Sequence, residues 1–316
     1  MKDNKQYHGF WDDTKYTPEA INVPLNIWQD GGVQINYRRK KLGARTFFIP
    51  LAFMLLHQIF LGLGIMLAAI LHNVIKPQAD LPEASSLSIV GMIACMVFLI
   101  PIYVSYLFGR ENKRPNSFLV RKTKPRAWIF TVVSALGSLG LINVLFLIIT
   151  FIAQFNNSVS VYFDDAIKEY GELVDVLKAK DLNLIFTFIA VVVLVPIAEE
   201  LLFRGIILGE FIGRMPVSVA VILQAVLFSI FHMNLVQSTY VLIPGIFLGV
   251  VYVMTRSIKM SILFHMIFNF FGGFVSLLFE GQLLPQIAVG IVSYLMIIPM
   301  LVMTFIYRKR QQDLFV

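Results

Sequence analysis

Glu199 and Glu200 stand side by side, with Arg204 following four residues later, in a stretch that carries no charge from Leu182 up to Glu199. Charged groups inside an apolar span are costly to bury, so ionisable residues of this kind are functional candidates by default. Further along, His232 follows Phe228 by one helical turn, and His265 and Asn269 are four apart, which places them on one helix face. A carboxylate shielded from bulk water suits the removal of a proton from a water molecule, and a neutral histidine can orient that water or donate a proton. A histidine and an asparagine on one face can stabilise an oxyanion. The chemistry these residue types suit is therefore hydrolysis by an activated water. Two histidines and a glutamate are also the donor set of a catalytic zinc site with an open position. The chain has no HExxH, so local spacing does not choose between the two.

Each residue also has a purely structural reading. Glu200 and Arg204 are i, i+4 and suit an intrahelical ion pair. Glu199 is harder to explain that way, because one arginine does not readily neutralise two carboxylates. Asn269 alone would read as helix–helix glue. His57 with Gln58, Asn143 and Gln224 stand isolated among apolar residues and read as packing positions.

The elements that must position these groups follow from composition. The chain has 316 residues, of which 58% are hydrophobic and 14% charged, against about 25% charged in a soluble domain. That excludes an ordinary soluble enzyme and points to an all-α, polytopic transmembrane helix bundle of about eight spans. The apolar segments run over 46–71, 87–109, 127–154, 182–208, 217–234, 238–255, 260–279 and 284–307, each near the roughly 20 residues a bilayer needs. The fifth and sixth are joined by a short, almost apolar loop. Pro101, Pro196, Pro244 and Pro299 fall inside spans, as bundled helices allow when neighbours satisfy the freed carbonyls.

Charge placement sets the expected orientation. Arg38, Arg39, Lys40, Lys41 and Arg45, the basic run from Arg110 to Arg126, Arg214, Arg256 with Lys259, and Arg308 to Arg310 fall on one side; Lys76, Lys168, Lys178 and Lys180 fall on the other. The bias places both termini in the cytoplasm. The net charge of +7 lies beside apolar spans, so it is a topology signal and no nucleic-acid partner is expected. The single Cys95 excludes an internal disulfide framework. Residues 1–45 lack the apolar core of a signal peptide, so the first span is expected to be retained.

The expected organisation is a cytoplasmic segment over 1–45, a three-span region over 46–154, an outer loop over 155–181, a core over 182–307 and a tail over 308–316. In the loop, Phe163, Ile167, Tyr170, Leu173, Val174 and Leu177 recur at helical spacing between acidic residues, the pattern of an amphipathic surface helix. Gly137, Gly140, Gly245, Gly249, Gly272 and Gly273 suit close helix contacts. About as many residues precede the turn near Met215, counted from Glu199, as follow it to His232. In a helix hairpin that sets the two at similar depth, in the inner half of the bilayer if the hairpin projects inward.

Glu199-Glu200-x-x-x-Arg204, Phe228-x-x-x-His232 and His265-x-x-x-Asn269, in that order and each in an apolar span, resemble the three motifs of the CAAX-protease and bacteriocin-processing family (Abi, or CPBP) of intramembrane proteases. The resemblance covers about residues 182–279 and leaves the first 180 unidentified. It implies a membrane-embedded endopeptidase. Glu199 would be the water-activating base, aided by His232; His265 and Asn269 would line the oxyanion site; Glu200 and Arg204 would support it. The resemblance leaves open a zinc ion held by Glu199, His232 and His265, or a metal-free glutamate mechanism. The partners it implies are the lipid bilayer and a membrane-associated peptide or protein, such as a bacteriocin or pheromone precursor or a lipid-modified C terminus; the basic bias and the lack of a signal segment fit a bacterial plasma membrane. The rival expectations are a non-catalytic scaffold or bacteriocin self-immunity protein on the same fold, and a transporter with a buried proton relay. The lack of an internal repeat weighs against the transporter.

Overall fold

The computed structural model describes residues 42–75, 84–111, 123–175, 184–212 and 214–309. The basic residues Arg38 to Lys41, much of the basic run between the second and third spans, Lys178 and Lys180, Leu177 and the tail from Arg310 lie outside the described residues. Among the described residues the regular structure is helical, with an isolated bridge between Ile212 and Met215. The helices are α1 (Ala44–Ile75), α2 (Ala84–Glu111), α3 (Pro125–Ala153), α4 (Asn157–Asp175), α5 (Leu184–Phe211), α6 (Val217–Phe231), α7 (Leu235–Thr255), α8 (Ile258–Leu278) and α9 (Leu283–Lys309).

Seven of these are long and apolar enough to cross a membrane. The exception among the expected spans is α6, which has 15 residues and so reaches about 22 Å at 1.5 Å per residue, short of the roughly 30 Å hydrocarbon core. It stops at the capping residue His232, and Met233 turns the chain with φ 50°. Asn234 then opens α7, its side-chain oxygen accepting from the Gln237 amide at 3.0 Å. The apolar run over 217–234 thus contains a helix end and a turn that hydropathy does not mark. The amphipathic segment forms α4 as its spacing predicts, and packs on α3 and α7 through Phe163 against Phe146 and through a 2.8 Å hydrogen bond between the Tyr170 and Tyr240 hydroxyls.

Two cores flank the site. One gathers Cys95, Leu99 and Tyr103 of α2 with Leu202, Phe203 and Ile206 of α5 and Phe228 of α6, and α1 packs against it. The other gathers Phe130 and Leu139 of α3 with Leu248 and Val251 of α7 and Phe264 of α8. Helices α5 to α8 are thereby held between an α1/α2 pair on one side and an α3/α9 pair on the other. The outer faces of α1 and α9 stay apolar and exposed, as at Leu55, Ile59, Leu295 and Ile298, the surface that lipid covers in a multi-pass membrane protein.

The basic helix ends meet at one end of the bundle. Phe47 at the start of α1 touches Phe211 at the end of α5, Thr123 just before α3 contacts Met260 at the start of α8, and Phe130 packs on Tyr307 near the end of α9. A side chain at Gly205 of α5 would meet Leu107 of α2 and Ile258 of α8, which ties these groups together.

Close approach of backbones holds the outer pairs. A Cβ on Gly64 would fall 2.3 Å from the Gly91 carbonyl oxygen, and one on Gly140 would fall 2.3 Å from that of Ser293. Gly273, expected as a packing position, meets nothing within 4 Å, because it faces away from the bundle. Gly140→Val is therefore expected to destabilise the α3/α9 pair by about 1–3 kcal/mol, the usual cost of overpacking, seen as a lower thermal midpoint in detergent.

Candidate active site

Helix α5 is not uniform. Its hydrogen bonding is π-type over Phe188–Leu194 and again over Leu201–Leu208, with an α-helical turn, Val195–Glu200, between them. Pro196 accounts for part of this. It has no N–H to offer, and the Val195 amide ahead of it donates to Ala190, one residue further back than in an α-helix. Widened turns of this kind recur at functional sites. The carbonyl of Val191, inside the first π segment, accepts the Asn269 side-chain amide at 2.9 Å. Asn269 thus clamps α8 to α5.

Glu199 and Glu200 end the α-helical turn and face different surroundings. Glu200 is 0% exposed and holds three donors. Arg204 Nη1 donates to its Oε1 at 2.8 Å, the Ser261 hydroxyl to its Oε2 at 2.5 Å, and His265 Nδ1 to its Oε1 at 2.7 Å. Arg204 is equally buried; its Nη2 reaches the Gly245 carbonyl at 3.3 Å and its guanidinium lies 4.7 Å over the Phe228 ring, a favourable cation–π arrangement. Glu199 is 8% exposed. Its Oε2 lies 3.7 Å from His265 Nε2, too long for a direct hydrogen bond and close enough for each charge to act on the other.

His265 therefore sits between the two carboxylates. Its Nδ1 proton is committed to Glu200, so Nε2 is an acceptor in the neutral ring and a donor when the ring is doubly protonated. His232 is set differently. Its Nδ1 lies 2.7 Å from the Phe228 carbonyl, which can only accept, so Nδ1 carries the proton and Nε2 offers a lone pair in the neutral ring. Phe228 packs edge-on against both imidazoles, with ring centroids 4.8 Å from His232 and 5.9 Å from His265.

The structure thus brings Glu199, Glu200, Arg204 and His265 into one cluster, places His232 beside it across Phe228, and turns Asn269 toward the α5 backbone. Among the described residues no three His, Cys, Asp or Glu side chains gather as a metal-binding group. Glu199, His232 and His265 as placed do not fit a zinc ion.

Residues 181–271 match a family model described as "Type II CAAX prenyl endopeptidase Rce1-like". This stretch is therefore similar to Rce1-like domains. No curated protein and no solved structure matches the chain. The matched stretch ends two residues after Asn269 and so contains all three motifs that carry the resemblance to the intramembrane proteases. At the level of the family, the match supports a CAAX-type intramembrane protease.

Several contacts in and around the site are absent from the sequence expectations. Ser261 was one turn before His265 on the same face as Asn269, the i, i+4, i+8 spacing that could have signalled it. The Gly245 carbonyl carries no side-chain signal. His57 and Gln58 are not isolated: His57 shares a 3.1 Å hydrogen bond with the Tyr103 hydroxyl, and Gln58 donates to the Phe231 carbonyl at 3.2 Å. Gln224 is isolated as expected, with neither amide atom hydrogen-bonded among the described residues.

Proposed function

We propose that the chain is an intramembrane endopeptidase that cleaves a membrane-associated peptide, prenylated or of the bacteriocin-precursor type, by a Glu/His-activated water. Glu199 takes a proton from the water, which then attacks the scissile carbonyl carbon. His232, through the free lone pair on Nε2, orients that water. His265, donating from Nε2 when its ring is doubly protonated, and Asn269 stabilise the developing oxyanion. The proton held by Glu199 passes to the leaving amine as the C–N bond breaks. Arg204, Ser261 and Glu200 hold His265 in place. The single observation that carries this reading is the asymmetry of the carboxylate pair: Glu200 is fully engaged by three donors, whereas among the described residues Glu199 has only the 3.7 Å approach of His265.

The convergence of basic helix ends supports a plasma-membrane orientation with both termini cytoplasmic. Glu199 is twelve residues from Phe211 at that end and His265 seven from Ile258. At 1.5 Å per residue this sets the site about 10–18 Å deep, in reach of a lipid-anchored substrate entering from the inner leaflet.

The test uses purified wild type and Glu199→Ala in detergent with a quenched library of membrane-compatible peptides, farnesylated CAAX-box sequences included, with and without a zinc chelator. Cleavage by wild type alone, unchanged by the chelator, is expected. Loss of cleavage on chelation would replace the metal-free mechanism with a metal-dependent one. Equal cleavage by Glu199→Ala would remove Glu199 from the reaction.

A further inference from the structure

Helices α1 and α2 lie outside the matched segment, yet both reach the site. His57 of α1 is 3% exposed and Tyr103 of α2 is 0% exposed. His57 Nδ1 and the Tyr103 hydroxyl lie 3.1 Å apart, and their rings stack with centroids 6.3 Å apart. The other side of His57 is capped by Phe231, edge-on at 5.1 Å. Gln58, the next residue, donates its side-chain amide to the Phe231 carbonyl at 3.2 Å. Two successive residues of α1 therefore grip the last turn of α6, from which His232 hangs. Helix α2 also packs on the Val195–Glu200 turn, and Tyr103 shares one buried core with Ala198, the residue next to Glu199.

Packing alone does not call for these residue types. Leucine and phenylalanine would fill the same volume without two buried polar groups, and ionisable side chains at membrane depth are costly unless they have a task. A hydrogen-bonded pair of buried dipoles packed on the turns that carry reacting groups has one: it sets the position of those turns and the field around them, as outer-shell partners do around other reactive groups.

We infer that His57 and Tyr103 are positioning residues for Glu199 and His232, so that the hydrolytic site of the matched stretch is completed by the two N-terminal helices. This rests on Glu199 being the base. The charged and titratable groups around Glu199 are then Glu200 and Arg204 on its own helix, His265 on α8, His57 on α1, Tyr103 on α2 and His232 at the end of α6.

The experiment compares Tyr103→Phe, His57→Asn, His57→Leu and Glu199→Gln in the full chain, on a peptide that wild type cleaves. Tyr103→Phe keeps the ring and removes only the hydroxyl, so it is expected to fold with a near wild-type thermal midpoint. Its kcat is expected to fall about 10–100-fold, the usual cost of losing an outer-shell partner. KM should stay within about twofold, and the acid limb of the kcat–pH profile should move. His57→Asn keeps a polar atom near the Nδ1 position and should retain more activity than His57→Leu. Wild-type kcat and pH profile in Tyr103→Phe, alongside an inactive Glu199→Gln, would overturn the positioning role and leave the base intact. A lowered midpoint with an unmoved pH profile would also overturn it, reducing the pair to packing. An active Glu199→Gln would sink the base assignment and this inference with it.

Discussion

Glu199→Gln is expected to lower kcat by about 10²–10⁴-fold, the range a positioned general base supplies, while the thermal midpoint stays near that of wild type. The structural reason is what Glu199 lacks. Among the described residues no hydrogen-bond donor anchors it, and its approach to His265 Nε2 is 3.7 Å. An amide of the same shape removes the proton acceptor and disturbs little else. Glu200→Gln is the informative contrast. Glu200 receives the Arg204 guanidinium, the Ser261 hydroxyl and His265 Nδ1, so its replacement should lower stability and activity together. If the two variants behave alike, the division of labour between adjacent carboxylates is wrong. Peptide-cleavage kinetics and thermal unfolding in the same detergent separate the cases.

The residues that meet in this cluster were legible because charge inside an apolar span has no bland explanation. Glu199, Glu200, Arg204 and His265 stand out against long uncharged runs, and i, i+4 spacing relates Glu200 to Arg204. The all-α fold was legible for the same reason, since hydropathy alone marks seven of the helices. What escaped has a common physical cause. Ser261 donates to Glu200 across helices, and a lone serine in an apolar helix looks like any packing position. His57 and Tyr103 are 46 residues apart on different helices, and no periodicity relates them. The π segments of α5 differ from α-helix only in which carbonyl each amide chooses, a distinction apolar side chains do not encode. The end of α6 at His232 is set by the backbone turn at Met233 and the Asn234 cap, within a run whose hydropathy continues unbroken.

Arg204 carries the second large effect, this time on assembly. Its guanidinium is 0% exposed, bonds Glu200 at 2.8 Å and the Gly245 carbonyl at 3.3 Å, and covers the Phe228 ring. Arg204→Met would leave the Glu200 carboxylate buried without its compensating charge. Breaking a buried pair from one side costs about 3–5 kcal/mol, a large share of the 5–15 kcal/mol that holds a typical domain together. The expected result is poor recovery of monodisperse protein and a strongly lowered midpoint. Arg204→Lys should rescue only in part, because a point charge cannot span Glu200 and Gly245 as the planar fork does. The double variant Glu200→Gln with Arg204→Met removes both charges and should regain most of the stability, since a neutral, well-packed replacement of a buried ion pair is often no less stable. It should still turn over slowly, because His265 then loses the carboxylate that fixes its tautomer and orientation. Recovery of midpoint without recovery of kcat would separate what the ion pair does for the fold from what it does for the site. An Arg204→Met chain as stable as wild type would mean that Glu200 is not held as a buried charge at all.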